Sequence, residues 1–240
     1  MTQSETIEIE SQPIWLYGYG SLLFKPPLHH LPIHKHFHRF NGYTTGYIRR
    51  FWQSSYDNRG TPEYKGRVVT IIPSEDILKR KEFQDDVMTY ELKGRSRDIF
   101  ENIDKLNEEL KVSGCIYYIP AEYAREAAEY LDFREKDGYV TQEIEFKVTD
   151  EISEETKHIL ECHPRNDKNE AIIKCMVYVG TTDNESFIGP ENSQKTAHII
   201  QTAEGESGKN DEYLLELERE IREMGFNDLY LSELVELIKE

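Results

Sequence analysis

The strongest structural signal in this chain is a short buried strand that ends in two closely spaced glycines. The apolar run IWLY (14–17) leads directly into Gly18, Tyr19, Gly20 and Ser21. A short apolar run bounded by glycines predicts a buried strand followed by a turn. Glycine serves where φ is positive or where the backbone closely approaches another group. Two interpretations stay open: a tight turn or bulge, or a nest of backbone N–H groups that binds a carboxylate.

The glycine pattern does not match the common nucleotide-binding motifs. Leu23 stands where a dinucleotide fingerprint requires its third glycine. The chain also has no Gly-Lys-Ser/Thr, so the turn is not a phosphate-binding P-loop.

The remaining pattern interleaves strands and helices irregularly. Further strands are predicted around Asn41-Gly42 and at RVVTIIP, GCIYYIP, YVTQEIEFKV and IIKCMVYVG. Helices are predicted within 74–111, after Pro120, as an exposed segment over 150–161, and in two or three pieces from Gln194 to the C-terminus; Asp137-Gly138 predicts a turn. The order lacks the regular rhythm of a doubly wound sheet. We therefore expect a flexible tail at 1–12 and one α+β domain over 13–240.

Composition excludes several classes of function. The 38% apolar residues, with 15 tyrosines and 10 phenylalanines, suffice for a core. A net charge of −17, from 29 basic and 46 acidic residues, disfavours nucleic acid and anionic membranes as partners. No apolar run reaches the ~20 residues of a membrane helix, and the acidic start is unlike a signal peptide. Three widely spaced cysteines indicate reduced thiols. We expect a cytosolic protein, with the nucleus open as a second compartment.

A histidine-rich stretch raises the possibility of a metal site. Its members are His29, His30, His34, His36 and His38. On a strand, positions 34, 36 and 38 would share a face, as metal ligands require. No cysteine or carboxylate lies among them, and Pro32 interrupts the strand geometry. A surface or core cluster is favoured over a metal site, so no metal is predicted.

Two further segments carry candidate chemistry. Arg49, Arg50 and Arg59 stand out in an acidic chain and could hold a substrate carboxylate, or could equally form internal salt bridges. Glu135 lies between a predicted helix end and a turn. It is an exposed charge in one interpretation; in the other, burial in a cleft raises its pKa toward that of a useful acid or base. No Ser-His-Asp or Cys-His arrangement is visible, so nucleophilic catalysis has no support.

Five motifs occur in the order and approximate spacing of one family. They are YGYGSL, GYIRRFWQSSYDNRGTPEYKGRVVT, LDFREKDGY, VYVGTTDNESFIGP and GESGKNDEYLLEL. On these motifs the chain resembles the ChaC-like γ-glutamylcyclotransferases, in particular their fungal branch, over nearly all residues after 13. Two departures are present: the family's Gly-Pro-Ser-Gly reads Gly205-Glu206-Ser207-Gly208, and the charged stretch 74–112 is longer than in compact members.

The resemblance implies a fold, a reaction and a set of residues. The fold is a small closed mixed β-barrel surrounded by helices, and the reaction cleaves glutathione into 5-oxoproline and cysteinylglycine without a cofactor. Glu135 is implied as the catalytic acid and base. The γ-glutamyl group is expected to lie against Tyr17, Gly18, Tyr19, Gly20, Ser21 and Leu22, with weaker candidates for orienting substrate in Arg49, Arg50, Tyr178 and Tyr213.

Several alternatives remain open at this stage. The protein could act on other γ-glutamyl amino acids or amines, or could bind γ-glutamyl compounds on the same fold without catalysis. The segment 74–112 is an insertion that we expect to cover the active site as a lid. The expected partner is a small molecule, and a monomer is favoured.

Overall fold

The computed structural model describes residues 12–134, 139–150 and 153–239. The predicted turn at Asp137-Gly138 and residue Glu135 lie outside these ranges. The strands are β1 (Ile14–Gly18), β2 (His38–Thr45), β3 (Tyr47–Ser55), β4 (Gly66–Pro73), β5 (Lys111–Ile119), β6 (Val140–Val148), β7 (Ala171–Val179), β8 (Glu204–Gly205) and β9 (Gly208–Lys209). The helices are α1 (Ser74–Lys79), α2 (Lys81–Tyr90), α3 (Ile103–Glu109), α4 (Ala121–Arg134), α5 (Lys157–Leu160), α6 (Ser193–Thr202), α7 (Asn210–Glu223) and α8 (Leu229–Leu237).

Five of the strands close into a barrel in the order β1-β5-β2-β6-β7. All neighbours are antiparallel except β1 and β7, which pair in parallel through Leu16 and Met176 and close the ring. Apolar side chains from these strands and from the packed helices form the main core. The predicted α+β fold, a small closed mixed barrel with helices around it, is confirmed. None of the described helices is long and apolar enough to cross a bilayer.

The β3-β4 hairpin is a separate sheet that packs beside the barrel. Its pairing shifts register between Arg50 and Gln53, which marks a bulge. The hydroxyl of Thr70 donates to the carbonyl of Gly180, just after β7, at 2.7 Å. This contact fixes the hairpin against one end of the barrel.

The segment 74–112 is mostly helical, as predicted, and holds a second apolar cluster. Phe83 and Val87 of α2 are fully buried, and Phe83 packs on Trp52 of β3 with ring centroids 5.0 Å apart. None of the residues from 74 to 112 lines the two cavities described below. The lid therefore stays a prediction.

The strands predicted around Asn41-Gly42 are present as β2 and β3. Asn41 and Gly42 lie within β2, and the chain reverses at Gly46, where φ is +80°. A Cβ on Gly42 would lie 1.9 Å from the carbonyl oxygen of Lys147, so this glycine permits close strand contact. The helix expected over 150–161 is wrong in extent: of the residues described in this range, those in a helix are the four of α5.

Candidate active site

The turn after β1 is built around two close backbone approaches. Neither Gly18 nor Gly20 has a positive φ. A Cβ on Gly18 would lie 2.8 Å from the Cβ of Leu22, and one on Gly20 would lie 2.8 Å from the Tyr213 hydroxyl. The chain then enters a 3-10 helix over Ser21–Leu23. The glycines thus allow tight packing against the rest of the fold.

A narrow pocket of about 40 Å³ opens beside this turn. Five of the six predicted cradle residues line it, whereas Gly18 does not. The full lining is Tyr17, Tyr19, Gly20, Ser21, Leu22, Val69, Tyr139, Tyr178 and Tyr213. The structure therefore brings most of the YGYGSL motif together with Tyr178 and Tyr213, the two tyrosines named above as weaker candidates for orienting substrate.

The tyrosine hydroxyls around the pocket are held by the fold. Tyr17 donates to the carbonyl of Val112 at 3.0 Å, and Tyr19 donates to the carbonyl of Tyr178 at 2.9 Å. Tyr178 in turn donates to Asp132 at 2.9 Å. Burial raises the pKa of Tyr17 well above its usual range. Tyr17 is therefore a neutral, fixed wall of the pocket at physiological pH.

A larger cavity of about 390 Å³ adjoins the narrow pocket, since Ser21, Tyr139 and Tyr213 line both. This volume falls in the usual range of small-molecule sites. The other lining residues are mostly polar: Lys25, His29, Gln53, Ser54, Ser55, Tyr56, Asp57, Asn58, Arg59, Val68, Tyr130, Arg134, Ser186 and Ser207. We call the two spaces the inner pocket and the outer cavity.

The three arginines of the RRFWQSSYDNRG segment have different surroundings. Arg49 is 2% exposed and pairs with Asp228 at 2.8 Å. Arg50 is fully buried, where Asp86 at 2.6 Å and Glu91 at 2.7 Å bind its guanidinium. These two residues thus form internal salt bridges and line neither cavity.

Arg59 is the arginine of this segment that reaches the outer cavity. It stacks over the ring of Tyr213, with its guanidinium carbon 5.6 Å from the ring centroid, and its Nη1 donates to the carbonyl of Lys209 at 2.6 Å. Its ion pair with Glu212 is long, at 3.8 Å, and that carboxylate is 60% exposed. The guanidinium is therefore fixed in place and only weakly neutralised.

The β8-β9 turn is hydrogen-bonded to the loop that carries Arg59. The backbone N–H of Glu206 donates to the carbonyl of Asp57 at 2.8 Å, and that of Ser207 donates to the carbonyl of Asn58 at 3.0 Å. A Cβ on Gly205 would lie 2.3 Å from the carbonyl oxygen of Asp57. The departure from the family's Gly-Pro-Ser-Gly thus supplies, at Glu206, a backbone donor that proline lacks.

Two further cations of the outer cavity were missed by sequence reasoning about substrate binding. Lys25 follows the 3-10 helix of the glycine turn, and Arg134 ends α4. Arg134 donates to the hydroxyl of Ser21 at 2.6 Å and to the carbonyl of Lys25 at 3.2 Å. No local sequence pattern predicts this contact, because Arg134 and Lys25 are far apart in the chain.

The histidine stretch does not form a ligand cluster in the structure. Residues Pro32–His36 form a 3-10 helix, and His36 stacks on Tyr123 while His30 packs on Tyr130. Across the described ranges, no three His, Cys, Asp or Glu side chains are grouped so as to hold a metal ion. His29 alone of the stretch lines the outer cavity.

Comparison with known proteins shows which family the chain belongs to. Residues 14–240 match the family model described as ChaC-like protein. The chain is 39% identical to the glutathione-specific γ-glutamylcyclotransferase of Saccharomyces cerevisiae, over 95% of this chain and 97% of that protein. It is 32% identical to the protein of the same name from Schizosaccharomyces pombe, over 92% and 90% of the two chains.

A solved structure gives the same result for the fold. The crystal structure of a yeast γ-glutamylcyclotransferase specific to glutathione superposes with a TM-score of 0.82 at 39% identity. The match covers 95% of this chain and 96% of the yeast chain. The chain therefore belongs to the ChaC-like protein family.

Proposed function

We propose that this protein is a glutathione-specific γ-glutamylcyclotransferase that releases 5-oxoproline and cysteinylglycine. The observation that carries the proposal is the joined pair of cavities at the YGYGSL turn, in a chain with 39% identity to a yeast protein of that named activity. The inner pocket takes the γ-glutamyl end, and the reaction occurs where the two spaces meet.

The reaction requires proton transfer and no protein nucleophile. The α-amine of the γ-glutamyl group attacks its own γ-carbonyl carbon, and a five-membered lactam forms. The amide C–N bond then breaks, and the proton lost by the attacking nitrogen reaches the departing cysteinyl nitrogen. Because the nucleophile is tethered to its target, proximity supplies much of the rate. One carboxylate can accept the proton and then deliver it.

Glu135 is the proposed proton carrier. It follows directly after Arg134, the last residue of α4, whose side chain lines the outer cavity and binds Ser21. This neighbourhood supports a role for position 135 near the junction of the two spaces. Backbone N–H groups of Tyr17 through Leu22 are proposed to stabilise the oxyanion or to bind the substrate's α-carboxylate.

The deciding experiment follows 5-oxoproline and cysteinylglycine released from glutathione by the purified protein. Glu135→Gln is expected to lower kcat by roughly 10²- to 10⁴-fold, the range for loss of a general acid or base. Glu129→Gln, the same change at an exposed position of α4, is the control and is expected to retain full turnover. Equal turnover by folded Glu135→Gln protein would show that another residue carries the proton.

A substrate panel distinguishes this proposal from the alternative functions that the same fold could support. Glutathione, γ-glutamyl amino acids and γ-glutamyl amines are compared at equal concentration. Turnover of glutathione well above the others supports the proposal, whereas preference for a γ-glutamyl amino acid or amine contradicts the assigned substrate. Glutathione binding by calorimetry without any product would indicate a binding protein instead of an enzyme.

A further inference from the structure

We propose that the outer cavity binds the free C-terminal carboxylate of the leaving dipeptide, and that Lys25 is a specificity-determining residue for it. The inference rests on the proposed function, because it assumes that the γ-glutamyl end occupies the inner pocket. The inference adds that the C-terminal carboxylate is the group by which the rest of the substrate is recognised. Substrates lacking a carboxylate at that position would be poor ones.

Three cationic side chains converge on this one cavity in a strongly acidic protein. Lys25, Arg59 and Arg134 all contribute to its wall. The chain as a whole carries a net charge of −17, so its general field repels an anionic peptide. A local group of cations in a concave, partly dehydrated site can attract a carboxylate even though the net charge of the protein repels it.

Lys25 is held in position through its backbone, and its ammonium remains available. Its N–H donates to the carbonyl of Ser21 at 2.8 Å, and its own carbonyl accepts from Arg134 at 3.2 Å. The side chain is half-buried. Within the described ranges, no carboxylate pairs with its ammonium. The lysine is thus fixed in the cavity wall without an ion-pair partner among the described residues.

The electrostatics around Lys25 favour an anion. Burial and the neighbouring charges of Arg59 and Arg134 lower the pKa of Lys25, and the carboxylate of Glu212 offsets only part of this effect. Asp57, the carboxylate of the cavity wall, bonds to Ser55 and Asn58 within its own turn. A bound carboxylate would relieve the repulsion among the three cations, which favours its binding there over binding at an isolated surface lysine.

Part of the cavity wall is a buried polar surface. Gln53, Ser54, Ser55 and Ser186 line the cavity and are each less than 10% exposed. Ser54 is fixed by a hydrogen bond from its hydroxyl to the carbonyl of Ser186 at 3.0 Å. Ordered polar groups of this kind suit a peptide backbone better than an apolar side chain.

The position of the cavity matches the geometry of the substrate. A γ-glutamyl peptide whose first residue occupies the inner pocket must extend its leaving group past Ser21 and Tyr213, which line both spaces. The leaving dipeptide ends in a carboxylate, and a γ-glutamyl amine has none. Charge at this end therefore separates the two substrate classes.

The test compares glutathione with its glycine monoethyl ester, which removes only the C-terminal charge. The wild-type protein is expected to show a kcat/KM roughly ten- to hundred-fold higher for glutathione, the range of a charge-assisted hydrogen bond. In Lys25→Met that ratio is expected to fall toward one. Lys35→Met removes the same charge from an exposed position that lines neither cavity, and it is expected to keep the wild-type ratio.

Different outcomes overturn different statements. Equal kcat/KM for the two compounds in the wild type, or a Lys25→Met variant that keeps the wild-type ratio, would overturn this inference alone. Absence of 5-oxoproline from both compounds would overturn the proposed function. In that case calorimetric Kd values for the same pair still measure the contribution of Lys25, and equal Kd values would overturn the carboxylate site as well.

Discussion

The guanidinium of Arg49 donates a hydrogen bond of 3.0 Å to the backbone carbonyl of Tyr19, in the middle of the glycine turn. The same nitrogen donates to the carbonyl of Ser113 in β5 at 3.0 Å. The other edge of the group binds the carboxylate of Asp228, which caps α8. Arg49 therefore ties the hairpin, the barrel and α8 to the turn that lines the inner pocket, without lining it itself. We predict that it acts as a positioning residue.

Arg49→Lys is expected to lower kcat/KM for glutathione by about ten-fold, the effect of one or two lost hydrogen bonds. A lysine keeps the charge opposite Asp228, yet its single ammonium cannot reproduce the planar fork that reaches both carbonyls and the carboxylate. Steady-state kinetics and thermal unfolding of the same preparation measure the two effects separately.

Arg50→Lys is the matched control, since it changes the next residue of the same strand at similar burial. Arg50 binds Asp86 and Glu91 and does not contact the turn. Its variant is expected to lose stability while kcat/KM below the unfolding temperature stays close to wild type. If the two variants lose activity in proportion to their loss of stability, Arg49 has no positioning role.

Gly20→Ala is expected to lower kcat/KM by ten-fold or more. The added methyl would lie 2.8 Å from the Tyr213 hydroxyl and 2.9 Å from Cγ2 of Val69, and both groups line the inner pocket. Overpacking of this kind typically costs about 1–3 kcal/mol. Kinetics of Gly20→Ala, Tyr213→Phe and the double variant form a cycle that isolates the clash. If the two changes are simply additive, the Tyr213 hydroxyl is not the group that the methyl displaces.

The sequence predicted most of the elements that build the inner pocket. The IWLY strand and the glycine turn follow from local pattern alone, and β1 ends at Gly18 as expected. Local pattern did not show why the glycines are there, because the groups that crowd Gly20 come from β4 and α7. That information exists only once distant segments are packed.

The outer cavity was harder to predict for the same reason. The sequence does not distinguish among the three arginines Arg49, Arg50 and Arg59. In the structure, the first two form internal salt bridges, whereas Arg59 lines the cavity. Lys25 gave no signal at all.

Gly205→Ala is expected to raise KM for glutathione several-fold, with a smaller effect on kcat. The methyl would lie 2.3 Å from the Asp57 carbonyl oxygen and 2.6 Å from the Arg59 nitrogen, so the loop that carries Arg59 must move. Glu206→Gln, which changes an exposed side chain of the same turn that lines neither cavity and keeps the backbone N–H bond to Asp57, is expected to change KM little. Full kinetic curves for both variants give the comparison. An unchanged KM in folded Gly205→Ala protein would mean that the loop does not contact substrate.

Glu191 is expected to make the protein sensitive to acid. Burial opposes its negative charge, but hydrogen bonds from Arg67, Lys195 and Thr196 outweigh this effect and lower its pKa to about 2 from an ordinary 4.5. Because the pKa is lower in the folded state, the carboxylate stabilises the fold fully above pH 4.5, and this contribution is lost as the pH falls toward 2. Linkage gives a loss of about 2 kcal/mol between pH 5 and pH 3. Arg67 also bonds to Asn210 at the start of α7, the helix that carries Tyr213.

Urea unfolding at pH 5, 4 and 3 measures this contribution. Glu191→Gln cannot titrate, so its free energy of unfolding is expected to fall less steeply than that of the wild type, and the gap between the two proteins should narrow by about 2 kcal/mol toward pH 3. Glu236→Gln, which alters a surface ion pair with Lys239, is the control and should run parallel to the wild type. A constant gap between Glu191→Gln and wild type across this range would show that folding does not lower the pKa of Glu191.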